Sequence, residues 1–235
     1  MKQAMIFAAG EGKRMRPLTL QTPKPLLPAG GKPLIVWQLE KLARQGVERV
    51  VINTAYLGEQ LPPALGKGDR WGLEIRYSPE SQALETGGGL LQALPLLEPQ
   101  DFLLVNGDVW CDPLPQLRLE AGKLAQLLLV PNPEHNPEGD FFVDSQTGRV
   151  YNQAATPACR AFTFAGISHL HPACLEPTYL QQAYQRSYQP GEAFALTPLL
   201  RLLVDQDLAA AEVYKGQWLD VGTPERLQYL QEQLA

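Results

Sequence analysis

The stretch Ala4-Met5-Ile6-Phe7-Ala8-Ala9-Gly10-Glu11-Gly12-Lys13-Arg14-Met15-Arg16-Pro17-Leu18-Thr19 decides how this chain is read. It opens on an uninterrupted apolar run, the pattern of a strand covered on both faces. The glycines that follow let the backbone turn tightly at the strand's carboxyl end and present successive N–H groups to phosphate oxygens. Two better-known loops do not fit. A Walker loop places glycine five positions before Gly12 and a hydroxyl residue after Lys13, where Phe7 and Arg14 stand. A dinucleotide fingerprint needs a third glycine where Met15 stands, and a helix that Pro17 interrupts. The loop therefore reads as a phosphate-binding candidate of neither class, a plain tight turn being the other reading.

Working outward, short apolar runs predict strands over residues 4–8, 50–53, 73–77, 102–106 and 124–130. Apolar residues at three- and four-residue spacing, as in Leu34, Trp37 and Leu42, predict helices over 33–45, 58–65 and 87–97. Beyond residue 131, Pro131, Pro133, Pro137 and Gly139 break the pattern. Strands over 140–144 and 161–170, partly antiparallel, are expected next. Helices over 177–186 and 195–205, a strand over 210–214 and a closing helix over 224–234 follow, the last capped by Thr223 with Pro224 at its first position. Strands alternating with helices specify right-handed crossovers and a mixed, mostly parallel central sheet flanked by helices. The length suits a single α/β domain over residues 1–235, with ligands bound beyond the carboxyl ends of the strands.

Charge narrows the ligand class. Residues 1–32 hold Lys2, Lys13, Arg14, Arg16, Lys24 and Lys32 against Glu11 alone, a net of +5 in a chain whose total is −5. An acidic body argues against a nucleic-acid partner, whereas a basic segment around a glycine loop suits a small phosphorylated ligand. No stretch approaches the ~20 apolar residues of a membrane span, and no signal peptide is evident, so a cytoplasmic protein with no membrane partner is expected. Cys111, Cys159 and Cys174 lack metal-site or disulfide-framework spacing, and His135, His169 and His171 accompany no serine or cysteine nucleophile motif.

The motif Ala8-Ala9-Gly10-x-Gly12-x-Arg14-Met15-x-Pro17-Leu18-Thr19, followed by Pro23-Lys24-Pro25-Leu26, resembles the signature of the sugar-1-phosphate nucleotidyltransferases. Further matches follow in order at Gly87-Gly88-Gly89, Asn106-Gly107-Asp108, Phe164-Ala165-Gly166 and Trp218-Leu219-Asp220-Val221-Gly222-Thr223-Pro224, spanning essentially the whole chain. Tyr77-Ser78-Pro79-Glu80, Leu84 to Gly89 and Leu103 to Trp110 most resemble a branch of short uridylyltransferases that use N-acetylmuramate 1-phosphate. The resemblance implies a Rossmann-like nucleotidyltransferase fold without a C-terminal β-helix. It also implies a nucleotide-binding half to about residue 130 and a sugar-binding half with the closing helix beyond it.

The reaction implied is attack by a sugar phosphate oxygen on the α-phosphorus of an NTP, with pyrophosphate leaving: UTP with N-acetylmuramate 1-phosphate, the alternatives being GTP with mannose or heptose 1-phosphate and UTP or dTTP with glucose 1-phosphate. A phosphate monoester has a second pKa of about 6, so the attacking group is largely dianionic at neutral pH and needs no general base. What it needs is positioned positive charge. The resemblance assigns catalysis to Arg14, Lys24 and Asp108, and nucleotide binding to Ala9, Gly10, Gly12, Lys13, Arg14, Lys24, Glu80, Gly87 and Gly88. It places Asn106, Gly139, Asp140 and Gly166 with the sugar, and Mg²⁺ on Asp108 and Asp220. Read alone, either aspartate serves equally as a turn or cap residue, Glu80 as an exposed glutamate and the glycines as a helix cap. One departure stands out: a Glu-Lys-Pro triplet common in thymidylyl and guanylyl members is replaced by Val150-Tyr151-Asn152-Gln153. The cation for the sugar phosphate is thereby left unidentified, with Lys215 a candidate substrate-binding residue, and Lys215 or Arg160 the candidates to offset the charge of an acidic sugar. Small-molecule substrates, a monomer or homodimer, and a catalytically silent nucleotide-sensing relative as the non-enzymatic alternative complete the expectation.

Overall fold

A computed structural model describes residues 2–234. In chain order it contains β1 (Gln3–Phe7), a two-strand hairpin of β2 (Pro28–Ala29) and β3 (Lys32–Pro33), α1 (Leu34–Arg44) and β4 (Arg49–Thr54). Then come α2 (Leu61–Leu65), β5 (Glu74–Pro79), α3 (Glu85–Ala93), β6 (Phe102–Asn106) and β7 (Val109–Asp112). The second half holds β8 (Ala125–Val130), β9 (Phe141–Asp144), β10 (Val150–Tyr151), β11 (Cys159–Leu170) and α4 (Pro177–Tyr184). It closes with α5 (Thr197–Asp205), β12 (Ala209–Val213), β13 (Gln217–Asp220) and α6 (Pro224–Gln233).

One nine-stranded sheet runs through both halves. β1 lies between β4 and β6 and is parallel to both, and β5 extends the parallel set beside β4. β11 is antiparallel to β6, β8 and β9, while β12 runs parallel to β8. The expected mixed, mostly parallel sheet is therefore present. Alternation along each strand decides which layer a side chain joins. Ala4, Ile6, Leu103 and Val105 face the layer of α1 and α2, whereas Met5, Phe102 and Leu104 face the layer of α3, α4 and α5. A third cluster, with Met15, Trp110, Val221, Leu227 and Leu230, packs α6 beneath the glycine loop.

Local chemistry sets several boundaries. Ile35, Leu39 and Leu42 are fully buried and give α1 its apolar stripe. Thr223 caps α6 by accepting a hydrogen bond from Arg226 N–H at 3.4 Å, with Pro224 in the first turn, as the sequence implies. The helix expected over 58–65 is shorter: Gly58–Gln60 form a 3₁₀ turn, and α2 begins only at Leu61, with Pro62 and Pro63 in its first turn, where missing N–H groups cost nothing. A 3₁₀ turn at Lys13–Met15 also forms inside the glycine loop, ahead of Pro17. The antiparallel pair β7 and β13 was not foreseen at all. It places Asp220 opposite Val109, and Val221 N–H donates to the carbonyl of Asp108 at 2.8 Å.

Candidate active site

The carboxyl ends of β1 and β6 open into a cavity of about 620 Å³. Its rim is the loop from Ala8 to Arg14, with Lys24, Asn106, Gly107, Asp108 and Gly222 around it. The loop is fixed at both ends. Ala8 N–H donates to Asn53 Oδ1 at 2.8 Å, and Gly107 N–H donates to the carbonyl of Phe7 at 2.9 Å. Gly12 adopts φ +60 and ψ 37, and its carbonyl accepts from Met15 N–H at 2.8 Å and Thr19 Oγ1 at 2.9 Å. A Cβ on Gly12 would stand 2.9 Å from Thr19 Cγ2 and 3.3 Å from Lys24 Cβ. Glycine at position 12 thus lets the loop close against the segment that carries Lys24.

Lys24 Nζ donates to Asp108 Oδ2 at 2.7 Å, with only 11% of the lysine side chain exposed. Loss of water around this pair strengthens the contact and holds the ammonium at the cavity floor. Asp220 stands beside Asp108 through the β7 and β13 pairing. Its Oδ2 accepts from Arg226 Nη1 at 2.9 Å, and its Oδ1 is buried with no hydrogen-bond partner among the described residues. A buried carboxylate oxygen without a donor calls for a cation or a bound ligand. His135 Nε2 comes within 3.5 Å of Asp220 Oδ2, but among the described residues no group of three or more His, Cys, Asp or Glu is placed to hold a metal ion. Two carboxylates suit a hard divalent cation that completes its shell with water and phosphate oxygens.

Ala9, Gly10, Gly12, Lys13, Arg14, Lys24, Asn106 and Asp108 all line the cavity. Other residues named from the sequence do not. Glu80 is buried behind it, accepting from Asn53 Nδ2 at 2.7 Å and from Leu84 N–H at 2.9 Å. Burial raises its pKa against the pull of those two donors. Glu80 therefore locks Asn53, which in turn holds Ala8, and both its oxygens are occupied. Gly87 and Gly88 donate their N–H groups to the carbonyl of Phe194 at 2.8 and 3.1 Å. A Cβ on Gly87 would meet the Phe194 ring at 2.4 Å, and one on Gly88 the carbonyl of Glu192 at 2.2 Å. Close packing of residues 192–194 is what these two glycines serve; Glu85 and Thr86, ahead of them on α3, face the cavity instead.

The sugar-side residues divide similarly. Gly166, at φ +72 in the irregular stretch of β11, lies so near Asn106 that a Cβ would stand 2.7 Å from Nδ2. It orients the Asn106 amide at the cavity wall. Gly139 turns the chain at φ +70 against Asn132 and Phe162, and Asp140 Oδ2 accepts from Phe164 N–H at 2.8 Å. Both shape β11 rather than line the cavity. Lys215 is exposed on the connection between β12 and β13, away from the lining of this cavity, and Arg160 hydrogen-bonds the carbonyls of Pro157 and Cys159.

Sequence reading missed Arg226. This residue sits in the first turn of α6 and lines a second cavity of about 320 Å³ together with His135, Trp218 and Asp220. Asp220 lines this second cavity, and Gly222, two residues on, lines the first. Helix-start chemistry at Thr223-Pro224 was legible, but nothing in a 3.6-residue period tells which first-turn side chain folds back over residue 220.

A parallel sheet with a glycine loop, a lysine and two carboxylates at its carboxyl edge defines a nucleotide-dependent phosphoryl-group enzyme. The chain belongs to the nucleotidyl transferase family, whose model matches residues 3–145. The N-acetylmuramate alpha-1-phosphate uridylyltransferase of Neisseria meningitidis serogroup B is 43% identical over 97% of this chain and 96% of that relative. The mannose-1-phosphate guanylyltransferase catalytic subunit beta of Drosophila pseudoobscura pseudoobscura is 31% identical over 94% of this chain, which spans 59% of that longer relative. A Bacillus anthracis crystal structure assigned as a glucose-1-phosphate thymidylyltransferase superposes with a TM-score of 0.79 over 100% of this chain and 95% of that one, at 20% identity. Members of this family generally use a divalent metal. No helix among the described residues is long and apolar enough to cross a membrane.

Proposed function

We propose that this protein transfers UMP from UTP to N-acetylmuramate 1-phosphate, giving UDP-N-acetylmuramate and pyrophosphate. The observation that carries the chemistry is the convergence of Arg14, Lys24 and Asp108 on one cavity, with Asp220 on the strand paired next to Asp108. The choice of substrates is supported by 43% identity along nearly the full length of a relative named for that reaction.

In this reading the loop from Ala9 to Lys13 lies along the triphosphate, and Arg14 offers it a guanidinium fork. Lys24, pinned by Asp108, supplies a compact charge where negative charge grows on the transferring phosphoryl group. Asp108 and Asp220 hold Mg²⁺, which neutralises phosphate charge when bound. Asn106, oriented by Gly166, faces the acceptor. Glu80 acts through Asn53 and Ala8 to set the loop, and Gly87 and Gly88 seat α3 so that Glu85 and Thr86 reach the cavity. Residues up to about 130 would serve the nucleotide and the remainder the sugar. The required nucleophile is the substrate's own phosphate, which accords with thiols placed away from the cavity: Cys111 and Cys174 are buried, and burial pushes their pKa values to about 11 and about 12.

The test is a pyrophosphate-release assay with UTP, Mg²⁺ and N-acetylmuramate 1-phosphate. Steady turnover is expected, and no release with any sugar 1-phosphate would leave a nucleotide-binding protein without this activity.

A further inference from the structure

The acceptor brings a phosphate dianion, and neither Lys215, the candidate the sequence offers for it, nor Arg160, offered for the acid of the sugar, lines either of the two cavities described above. Arg226 lies where such a charge is needed. Its Nη1 is spent on Asp220 Oδ2 at 2.9 Å and lies 3.3 Å from His135 Nε2, which fixes the plane of the guanidinium. Its Nη2 has no hydrogen bond among the described residues and points over Gly222. An ideal Cβ on Gly222 would stand 3.0 Å from that Nη2, 3.0 Å from Arg14 Nη2 and 2.9 Å from Asp220 Oδ1. Two guanidinium groups from opposite ends of the chain and one unpartnered carboxylate oxygen therefore close on Gly222 and leave no room there for a side chain.

We infer that the phosphate of the acceptor sugar docks at the side of the cavity that Arg14 and Gly222 line, and that Arg226, through its unspent Nη2, is the residue that binds it. Like charges brought this close repel, and Asp220 offsets only one of them. A phosphate dianion supplies the missing negative charge and accepts from both forks. Arg226 is also rigidly based: Thr223 caps its N–H, and Leu227 and Leu230 anchor α6 in the cluster beneath the loop. At the first turn of a helix the N-terminal dipole adds to the attraction for an anion. The arrangement accounts for a chain whose Val150-Tyr151-Asn152-Gln153 segment carries no lysine. It rests on the acceptor being a sugar 1-phosphate, as proposed above.

The experiment measures KM for UTP and for the acceptor separately in wild type, Arg226→Gln and Arg226→Lys, with thermal unfolding as a control on α6. Loss of one charged hydrogen bond raises the acceptor KM about ten- to a hundredfold in Arg226→Gln, with the UTP KM within about threefold of wild type. Arg226→Lys, which keeps the charge and loses the fork, recovers most of that loss. Titration of N-acetylmuramate 1-phosphate into each protein by calorimetry, without nucleotide, follows the same order. Equal shifts in both KM values, or none in the acceptor KM, overturn the assignment. Should Arg226→Gln not fold, Arg226→Lys decides by the same split, a several-fold rise confined to the acceptor supporting it. If wild type turns over no sugar 1-phosphate, the failure belongs to the underlying reading of function instead.

Discussion

Lys24 Nζ rests 2.7 Å from Asp108 Oδ2, so the cation proposed to meet the α-phosphate and the carboxylate proposed to hold the metal are partners in one contact. The pair arises because the 3₁₀ turn Lys24–Leu26 faces the end of β6 across the cavity. Neither charge is then left alone in a partly dry site.

Asp108→Asn keeps the side chain's shape and removes the charge that attracts a divalent ion. Turnover is expected to fall below detection while the thermal midpoint stays within a few degrees of wild type, and Asp220→Asn should behave alike. Rates measured against Mg²⁺ concentration check this; near-normal turnover at limiting Mg²⁺ removes the residue in question from the metal site.

Lys24→Ala takes away one positioned donor and leaves Asp108 without its partner. The expected loss in kcat/KM corresponds to about 2.7–4 kcal/mol, the range seen when a single preorganised donor is removed. An unchanged rate would sink the assignment.

How much of this was legible beforehand follows the range of the interactions. β1, the glycine loop and Lys24 lie within the first 26 residues, and local pattern suffices to read them. β6 was read to the residue because its apolar run ends at Asn106, a polar residue at the cavity wall. The parts that escaped depend on distant partners. β7 and β13 pair residues 109–112 with 217–220, and neither four-residue run carries a period of its own. Gly87 and Gly88 read as nucleotide contacts until Phe194, more than a hundred positions on, is seen to take their N–H groups. Glu80 reads as an acceptor for the base, or else as an exposed glutamate, whereas in the fold Asn53 and Leu84 occupy its oxygens.

Gly88→Ala tests that packing role. A methyl group there meets the carbonyl of Glu192 at 2.2 Å, so the 192–194 segment or α3 must shift. Destabilisation of about 1–3 kcal/mol is expected from overpacking, read by urea unfolding. Full stability would show that the segment yields freely and that the glycine serves something else.

Glu80 gives a pH dependence. Burial raises its pKa in the folded protein, so between the usual carboxylate range and that raised value the folded state holds a proton that the unfolded chain has lost. Stability contributed by this group therefore falls as pH rises through that interval and is level above it. Glu80→Gln removes the titration. Unfolding free energies from about pH 4 to about pH 7 should decline more steeply in wild type than in the variant, and parallel curves would contradict the buried placement.

The site is assigned to UTP and an acidic sugar phosphate. The most direct measurement is kcat/KM for each of four nucleoside triphosphates against N-acetylmuramate, mannose, heptose and glucose 1-phosphates. UTP with N-acetylmuramate 1-phosphate is predicted to exceed every other combination. A larger value for GTP with mannose 1-phosphate would contradict the substrate assignment and leave the family assignment standing.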